Sequence, residues 1–459
     1  MSEAKAKTNS ASLGEGSVGK LLASLALPAV VAQVINLLYN IVDRIYIGHI
    51  PDIGARALTG VGLCTPIIMM VTAFAMLACS GGVPRTSIFM GKKDVEGAEK
   101  IVGNCVALVI ILAVVLTILI YIFAPQLLTW FGASSATLPY ALSYTRIYIL
   151  GSIFVMITLG AGPFITAQGF AKISMLTTVI GAAINIVLDP VFIFVFNMGV
   201  RGAAIATVIS QAVSAAWVLK FLTGPQCLVR LRMKNLRIAG SVIGPCLALG
   251  VSSFVMVSTE SILSISFNSS LSRYGGDLAV GAMTILTSMS QLVMMPLQGV
   301  CQGGQPIVSF NFGAGNADRV KKAFKYIFLT CVVYTTLFWA ASMLVPRMFA
   351  GIFTGDAALM DRTVWAIRIY MAGVFSLGFQ ISCQQSFLAL GQAKISLVMA
   401  CLRKLILLIP LIFILPNFFA DKVLAVFLAE PVSDIIAAAV TTLAFFSRFN
   451  KTLEKGVGR

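Results

Sequence analysis

The chain reads as long apolar runs separated by short polar connections. Runs of about 20 residues, the length that carries a helix across ~30 Å of hydrocarbon, recur along it. Twelve are predicted as membrane spans, at 21–48, 57–80, 101–123, 143–168, 173–197, 202–222, 244–268, 278–300, 323–345, 365–390, 396–416 and 423–446. Polar positions inside these runs follow helical spacing. On the first, Gln33, Asn36, Asn40 and Asp43 recur at intervals of three, four and three, which places them on one stripe. Asn185 and Asp189 share a face of span five, and Thr207 and Gln211 a face of span six. In the second half Glu260 and Ser264 on span seven, and Glu430 and Asp434 on span twelve, repeat the pattern. Thr284, Thr287, Ser288, Gln291 and Gln298 on span eight, with Ser376, Gln380 and Gln384 on span ten, add neutral polar lining.

Composition fits this pattern. Hydrophobic residues make up 58% of the chain and charged ones 11%. Soluble domains run near 45–50% apolar and about 25% charged, so the chain is a polytopic membrane protein. The first apolar run is expected to remain as an uncleaved helix, because many spans follow it.

The net charge of +16 would suggest nucleic acid in a soluble protein. Here it is distributed by connection. One alternate set (the N-terminus, 85–100, Lys172, 220–237, 319–325, Lys394 and the C-terminus) holds 22 basic residues. The other set holds only Arg56, Arg201, Arg273, Arg347, Arg362 and Lys422. The positive-inside rule then places both termini and the 223–243 connection in the cytoplasm of a cell-membrane protein. The basic excess marks topology, and no nucleic-acid partner is expected.

The two halves match at a nearly constant offset. GGVPRTSIFMGKKD at 81–94 aligns with GGQPIVSFNFGAGN at 303–316, and RIY and AKIS recur at the same separation of 222 residues. Six spans is an even number, so both copies share one orientation and should be related by an axis along the membrane normal. The expected fold is an all-α polytopic membrane protein of two parallel-repeat six-helix bundles. Its parts are a tail at 1–20, a first lobe at 21–222, a linker at 223–243, a second lobe at 244–446 and a tail at 447–459.

Five carboxylates lie inside the apolar runs: Asp43, Asp189, Glu260, Glu430 and Asp434. An ionised Asp near a helix centre costs roughly 2.5–3.5 kcal/mol on insertion scales, so the default reading is a proton or cation route. At ~1.5 Å per residue, Asp43, Asp189 and Thr207 fall roughly 7–12 Å inside the external boundary. Three helices therefore offer oxygens at one level, suited to Na⁺ or to a proton shared between two carboxylates. Arg44 is the neighbouring base, but consecutive helical residues point about 100° apart, which leaves it to reach the outer surface. Pro190 kinks the helix after Asp189, and a purely structural Asp at that kink is the alternative. Glu260 is open between coupling and neutral packing, and Glu430 between function and marking the Pro431 kink. The one histidine, His49, excludes a multi-His metal cluster. The nine cysteines lack a CxxC pair and read as small buried hydrophobes.

LYNIVDRIYIG on span one and NIVLDP on span five, in a duplicated twelve-span chain, resemble the multidrug and toxic compound extrusion (MATE) family over about 21–446. The resemblance is closest to the branch with its cation site in the amino-terminal lobe. It implies a coupling site for H⁺ or Na⁺ at Asp43, Asn185, Asp189 and Thr207, with no cofactor and no metal beyond Na⁺. It also implies a substrate cavity drawn from Gln33, Asn36, Asn40, Gln211, Glu260, Ser264, Gln291, Gln380, Gln384, Glu430 and Asp434. The implied activity is ion-driven export of small, cationic, amphipathic compounds by alternating access, in a lipid-embedded monomer. Cation and drug are expected to compete for the same carboxylates, with the lobes rocking about the linker. Arg44 departs from the small residue that the family has after the span-one Asp. Another branch pairs a span-seven Glu with a span-ten Asp; Glu260 matches the first, but span ten carries Gln380, Gln384 and Gln385 near that level. A flippase for lipid-linked sugars is the alternative, and twelve spans with an acidic lining argue against it. HExxH, Walker A and GxSxG motifs are absent from the sequence, so an intramembrane enzyme is not expected.

Overall fold

The computed structural model describes residues 13–457, so Lys5, Lys7 and Arg459 of the basic tally lie outside the described residues. Among those residues the secondary structure is helical, with no strand. Eleven helices among the described residues are long and apolar enough to span a membrane, and a bent pair taken together has the length and composition of a twelfth. The first lobe holds α1 (Val18–Gly48), α2 (Arg56–Gly91), α3 (Val95–Trp130), α4 (Leu138–Leu150 with Ser152–Ala167, bent by 57°), α5 (Ala171–Val195) and α6 (Val200–Thr223). The second holds α7 (Gly240–Gly276), α8 (Leu278–Gly313), α9 (Ala317–Leu344), α10 (Ala357–Ala389), α11 (Ala393–Asn417) and α12 (Lys422–Glu454).

The duplication is visible in individual bonds. Asp94 caps α3 by accepting from the Gly97 amide at 2.8 Å, and Asn316 caps α9 by accepting from Arg319 at 3.2 Å. Ser87 donates to the Ala167 carbonyl and Ser309 to the Ala389 carbonyl, at 3.2 and 2.8 Å. Each second member lies 222 residues after the first. One supersecondary unit, built twice with the same caps and ties, gives the two lobes their common shape.

There are two apolar cores. One is built mainly from α2, α3, α4 and α6, the other from α8 to α12. The simple boundaries expected from the sequence need one amendment at the basic-side ends. Leu22, Leu25 and Ala26 at the start of α1 pack in the second core, and Ile243 and Cys246 at the start of α7 pack in the first. The first helix of each repeat thus crosses to the other lobe. Glycine makes the crossing possible. A Cβ on Gly303 would overlap the α1 backbone at Ala26, and one on Gly81 would overlap the Cys246 carbonyl of α7. The repeat-related Gly91 and Gly313 lie against Phe310 and Ile88 of the opposite lobe in the same way. These approaches all lie in the half of the bundle that carries the basic connections.

The linker is tied down. Glu99 of α3, almost fully buried, pairs with Arg232 at 2.7 Å, and Asn104 accepts from the Ala239 amide at 2.6 Å. Gln168 accepts from the Val229 amide at 2.9 Å, and the Cys227 thiol donates to the same carboxamide oxygen at 3.1 Å. The segment expected as a pivot for rocking lobes is thus bonded along its length to the basic-side end of the first lobe.

Gly303→Val should lower the thermal midpoint of the purified protein by an amount matching about 1–3 kcal/mol of overpacking. Gly240→Ala, where an added Cβ meets nothing within 4 Å, should leave it unchanged. Burial pushes the Cys227 thiol up to about 12, so it should resist maleimide at neutral pH when its peptide is followed by mass spectrometry. Glu99→Ala, which frees Arg232, should raise that labelling severalfold.

Candidate functional site

Three helices bring the expected first-lobe residues together. Asn185 and Asp189 stand one turn apart on α5, and the Asn185 carboxamide donates to Asp189 Oδ1 at 3.2 Å. The same nitrogen reaches Thr207 Oγ1 of α6 at 3.5 Å. Asp43 of α1 meets Asp189 side chain to side chain. Asn185, Asp189 and Thr207 are buried, while Arg44 is exposed.

The helix beneath this cluster is not regular. Pro190 offers no N–H to the ladder, and the next turn, Val191–Val195, is a π-helix in which Phe196 N bonds to Val191 O at 2.9 Å. The widened turn ends at Val195, and the loop after it enters α6 through Gly199, whose φ of 52° lies in the region glycine tolerates best. Asp189 therefore sits where α5 is least constrained by its own backbone bonds.

Donors are scarce around the cluster. Asp43 Oδ1, Asp189 Oδ2, Asn185 Oδ1 and, one turn along α6, Gln211 Oε1 are buried oxygens with no hydrogen-bond donor. Unpaired buried acceptors carry a desolvation cost of about 1–3 kcal/mol each, more when charged. An oxygen set of this kind suits a hard monovalent cation. It equally suits a proton held between two carboxylates that would otherwise repel.

Beside the cluster, between the lobes, is a cavity of about 520 Å³, within the size range of small-molecule sites. Of the expected lining residues, Gln33, Asn36, Gln211 and Glu260 do line it. Gln33 also donates to Gln302 of α8 at 3.3 Å, across the lobe boundary. Others lie elsewhere. Asn40 folds its amide back onto the Asn36 carbonyl at 2.6 Å. Ser264 and Gln291 are exposed and lie off the cavity wall. Gln380 and Gln384 border a small adjoining void with Arg403 and Lys404.

Asp43, Asn185, Asp189 and Thr207 do not line the cavity; Tyr39, one turn before Asp43, and Gln211 do. Direct competition of drug and cation for the same carboxylates therefore does not match this geometry, and the two sites meet through α1 and α6. Tyr39 was not singled out from the sequence, although its place one turn before Asp43 put it next to the polar stripe.

Glu430 and Asp434 require the largest correction. Neither reaches the cavity. Both are buried against Arg403 of α11, which donates through Nε to Asp434 at 2.6 Å and through Nη2 to Glu430 at 3.0 Å. Ser433 of α12 adds a bond to the Arg403 carbonyl at 2.8 Å. Lys404, the next residue, turns toward α7, pairs with Glu260 and donates to the Met256 carbonyl at 3.2 Å. These two bases fell inside an apolar run and so entered neither connection tally. Three acids in the apolar runs of one lobe without a named counter-charge were the available signal. Both bases stand on a π-helical turn, Leu402–Leu408, and consecutive positions point to different neighbours, one to α12 and one to α7.

The family model described as MatE matches residues 28–191 and 252–445. The chain belongs to the MATE family. It is thus a transporter and not an enzyme. Among curated relatives, the multidrug export protein MepA of Staphylococcus aureus is 24% identical over 402 residues, 88% of each chain. MepA of Staphylococcus saprophyticus is 23% identical over 443 residues, 96% of each. Among solved structures, the outward-facing conformation of a multidrug resistance MATE transporter aligns with a TM-score of 0.89 at 23% identity, over 96% of this chain and 98% of that one. A MATE structure in a bent conformation aligns at 0.90 and 22%, over 97% and 99%. These structures share the fold of this MATE chain.

Arg403→Met leaves two buried acids without their cation. By analogy with broken buried pairs it should cost about 3–5 kcal/mol, read as a large fall in the melting temperature of the detergent-solubilised protein. Adding Glu430→Gln and Asp434→Asn should recover most of that loss.

Proposed function

We propose that this MATE transporter is a multi-pass protein of the cell membrane that exports small organic compounds, chiefly cationic amphipaths, in exchange for H⁺ or Na⁺. The observation that carries this reading is the juxtaposition of the donor-poor oxygen cluster at Asp43, Asn185, Asp189 and Thr207 with the cavity between the lobes. The relatives named above are multidrug export proteins, which points the same way. The coupling ion binds on the first lobe, and both termini face the cytoplasm, as the basic connections suggest. The protein works as a monomer among lipids, without a cofactor.

Alternating access supplies the coupling. The ion has different affinities for the two states, and only that difference can do work. Loading the Asp43–Asp189 pair removes repulsion between two carboxylates on different helices, so α1 and α5 settle closer together. Tyr39 and Gln211 then shift with α1 and α6 and change the cavity wall. Coupling thus passes through helix positions instead of a shared ligand. The π-turn after Pro190 is where α5 yields at least cost.

Dye efflux from proteoliposomes under an imposed proton or Na⁺ gradient tests this. Asp43→Asn and Asp189→Asn should each cut gradient-driven efflux about tenfold or more, in the range of ordinary coupling energies, while equilibrium dye binding changes little. Undiminished gradient-driven efflux in both variants would sink the assignment.

A further inference from the structure

One ion pair stands on the cavity wall itself. Glu260 of α7 and Lys404 of α11 both line the cavity, and they pair with each other there. Their exposures differ sharply: 49% for the Glu260 side chain and 7% for that of Lys404. Lys404 also donates to the Met256 carbonyl at 3.2 Å. The neighbouring acids Glu430 and Asp434 are both bonded to Arg403, and among the described residues Glu260 is the acid that pairs directly with Lys404.

This asymmetry constrains what can bind. A ligand bearing only a cation would draw Glu260 away and leave a buried ammonium facing a single neutral carbonyl. A buried charge left without its counter-ion is heavily penalised. A ligand bearing a carboxylate as well replaces Glu260 on Lys404 while its amine takes up Glu260. The pair then opens with no charge stranded. Met76, Met175, Met256 and Met294 line the same cavity, and their flexible thioethers adapt to a flat apolar body.

We propose that the Glu260–Lys404 pair is a substrate subsite that selects amphiphiles carrying both an amine cation and a carboxylate, with Lys404 as the carboxylate receptor. This deepens the export reading above and rests on it. Lys404 is a binding residue that the polar stripes of the sequence did not reveal.

Two dyes of one scaffold test the idea: rhodamine 110, with a free carboxylate, and its methyl ester rhodamine 123, a cation only. Fluorescence anisotropy on the purified full-length protein should show rhodamine 110 binding about tenfold or more tighter than the ester. Lys404→Met should bring the two within about twofold, chiefly by weakening rhodamine 110. If that variant does not fold, Lys404→Met combined with Glu260→Gln removes both charges together and should show the same loss of preference. Equal affinities in the wild type, no measurable rhodamine 110 binding, or a preference that survives loss of Lys404 would each overturn the subsite. Gradient-driven efflux of both dyes is followed in parallel. Export of the ester without any preference for the acid defeats only the subsite, whereas export of neither defeats the export reading.

Discussion

A carboxylate held at bilayer depth must find a positive partner, and this requirement organises both lobes. In a medium of low dielectric a lone ionised group is costly. The chain meets that cost in two ways. The second lobe supplies the partners itself: Arg403 holds Glu430 and Asp434, and Lys404 holds Glu260. In the first lobe Asp43 and Asp189 face each other and the Asn185 and Thr207 side chains, with buried oxygens left without donors. One lobe carries tethered cations, and the other is suited to an exchangeable one. The repeat makes the contrast sharper, because Arg403 and Lys404 stand 222 residues after Gly181 and Ala182. Small residues there leave space beside the cavity in the first lobe; bases there fill and neutralise the second.

The two lobes can be different in charge because they are alike in packing. Repeat-related glycines let the first helix of each repeat cross into the other lobe, and repeat-related serines and caps fasten equivalent turns. Close backbone approach of this kind is the usual glue of helices in lipid, where burial of apolar surface brings no gain over lipid contact. It joins the lobes at their basic-side halves. The polar residues on the helices between them are then free to line a cavity and do not have to hold the lobes together. The linker reinforces this division, since Glu99, Asn104 and Gln168 bind it to the first lobe. Under the proposed alternating access, relative motion of the lobes would come from the helix crossings and from the π-turns of α5 and α11.

Much of this was legible in the residues alone. Twelve spans followed from run length, and the six-plus-six arrangement from the constant offset of three motifs, because a membrane leaves the backbone few options. Asp43, Asn185, Asp189 and Thr207 could be grouped by helical face and by depth. The second lobe resisted the same treatment. Helical spacing tells which residues share a face, not which neighbour that face meets. Glu430 and Asp434 looked like cavity acids until α11 placed a guanidinium between them, and Lys404 was hidden by the hydrophobicity of its surroundings.

The sequence by itself determined the number of crossings, the duplication and the stripe that carries the first-lobe acids, since each depends on spacing along one chain. The tertiary structure alone decided which carboxylates are neutralised by the protein and which are not. It also decided that the Asp43–Asp189 cluster stands behind Tyr39 and Gln211 and not on the cavity wall. Charge pairing and access depend on how helices distant in sequence are rotated against one another. That rotation is set by packing at the glycine crossings and by the extra residue of each π-turn, neither of which appears in the order of hydrophobic and polar positions.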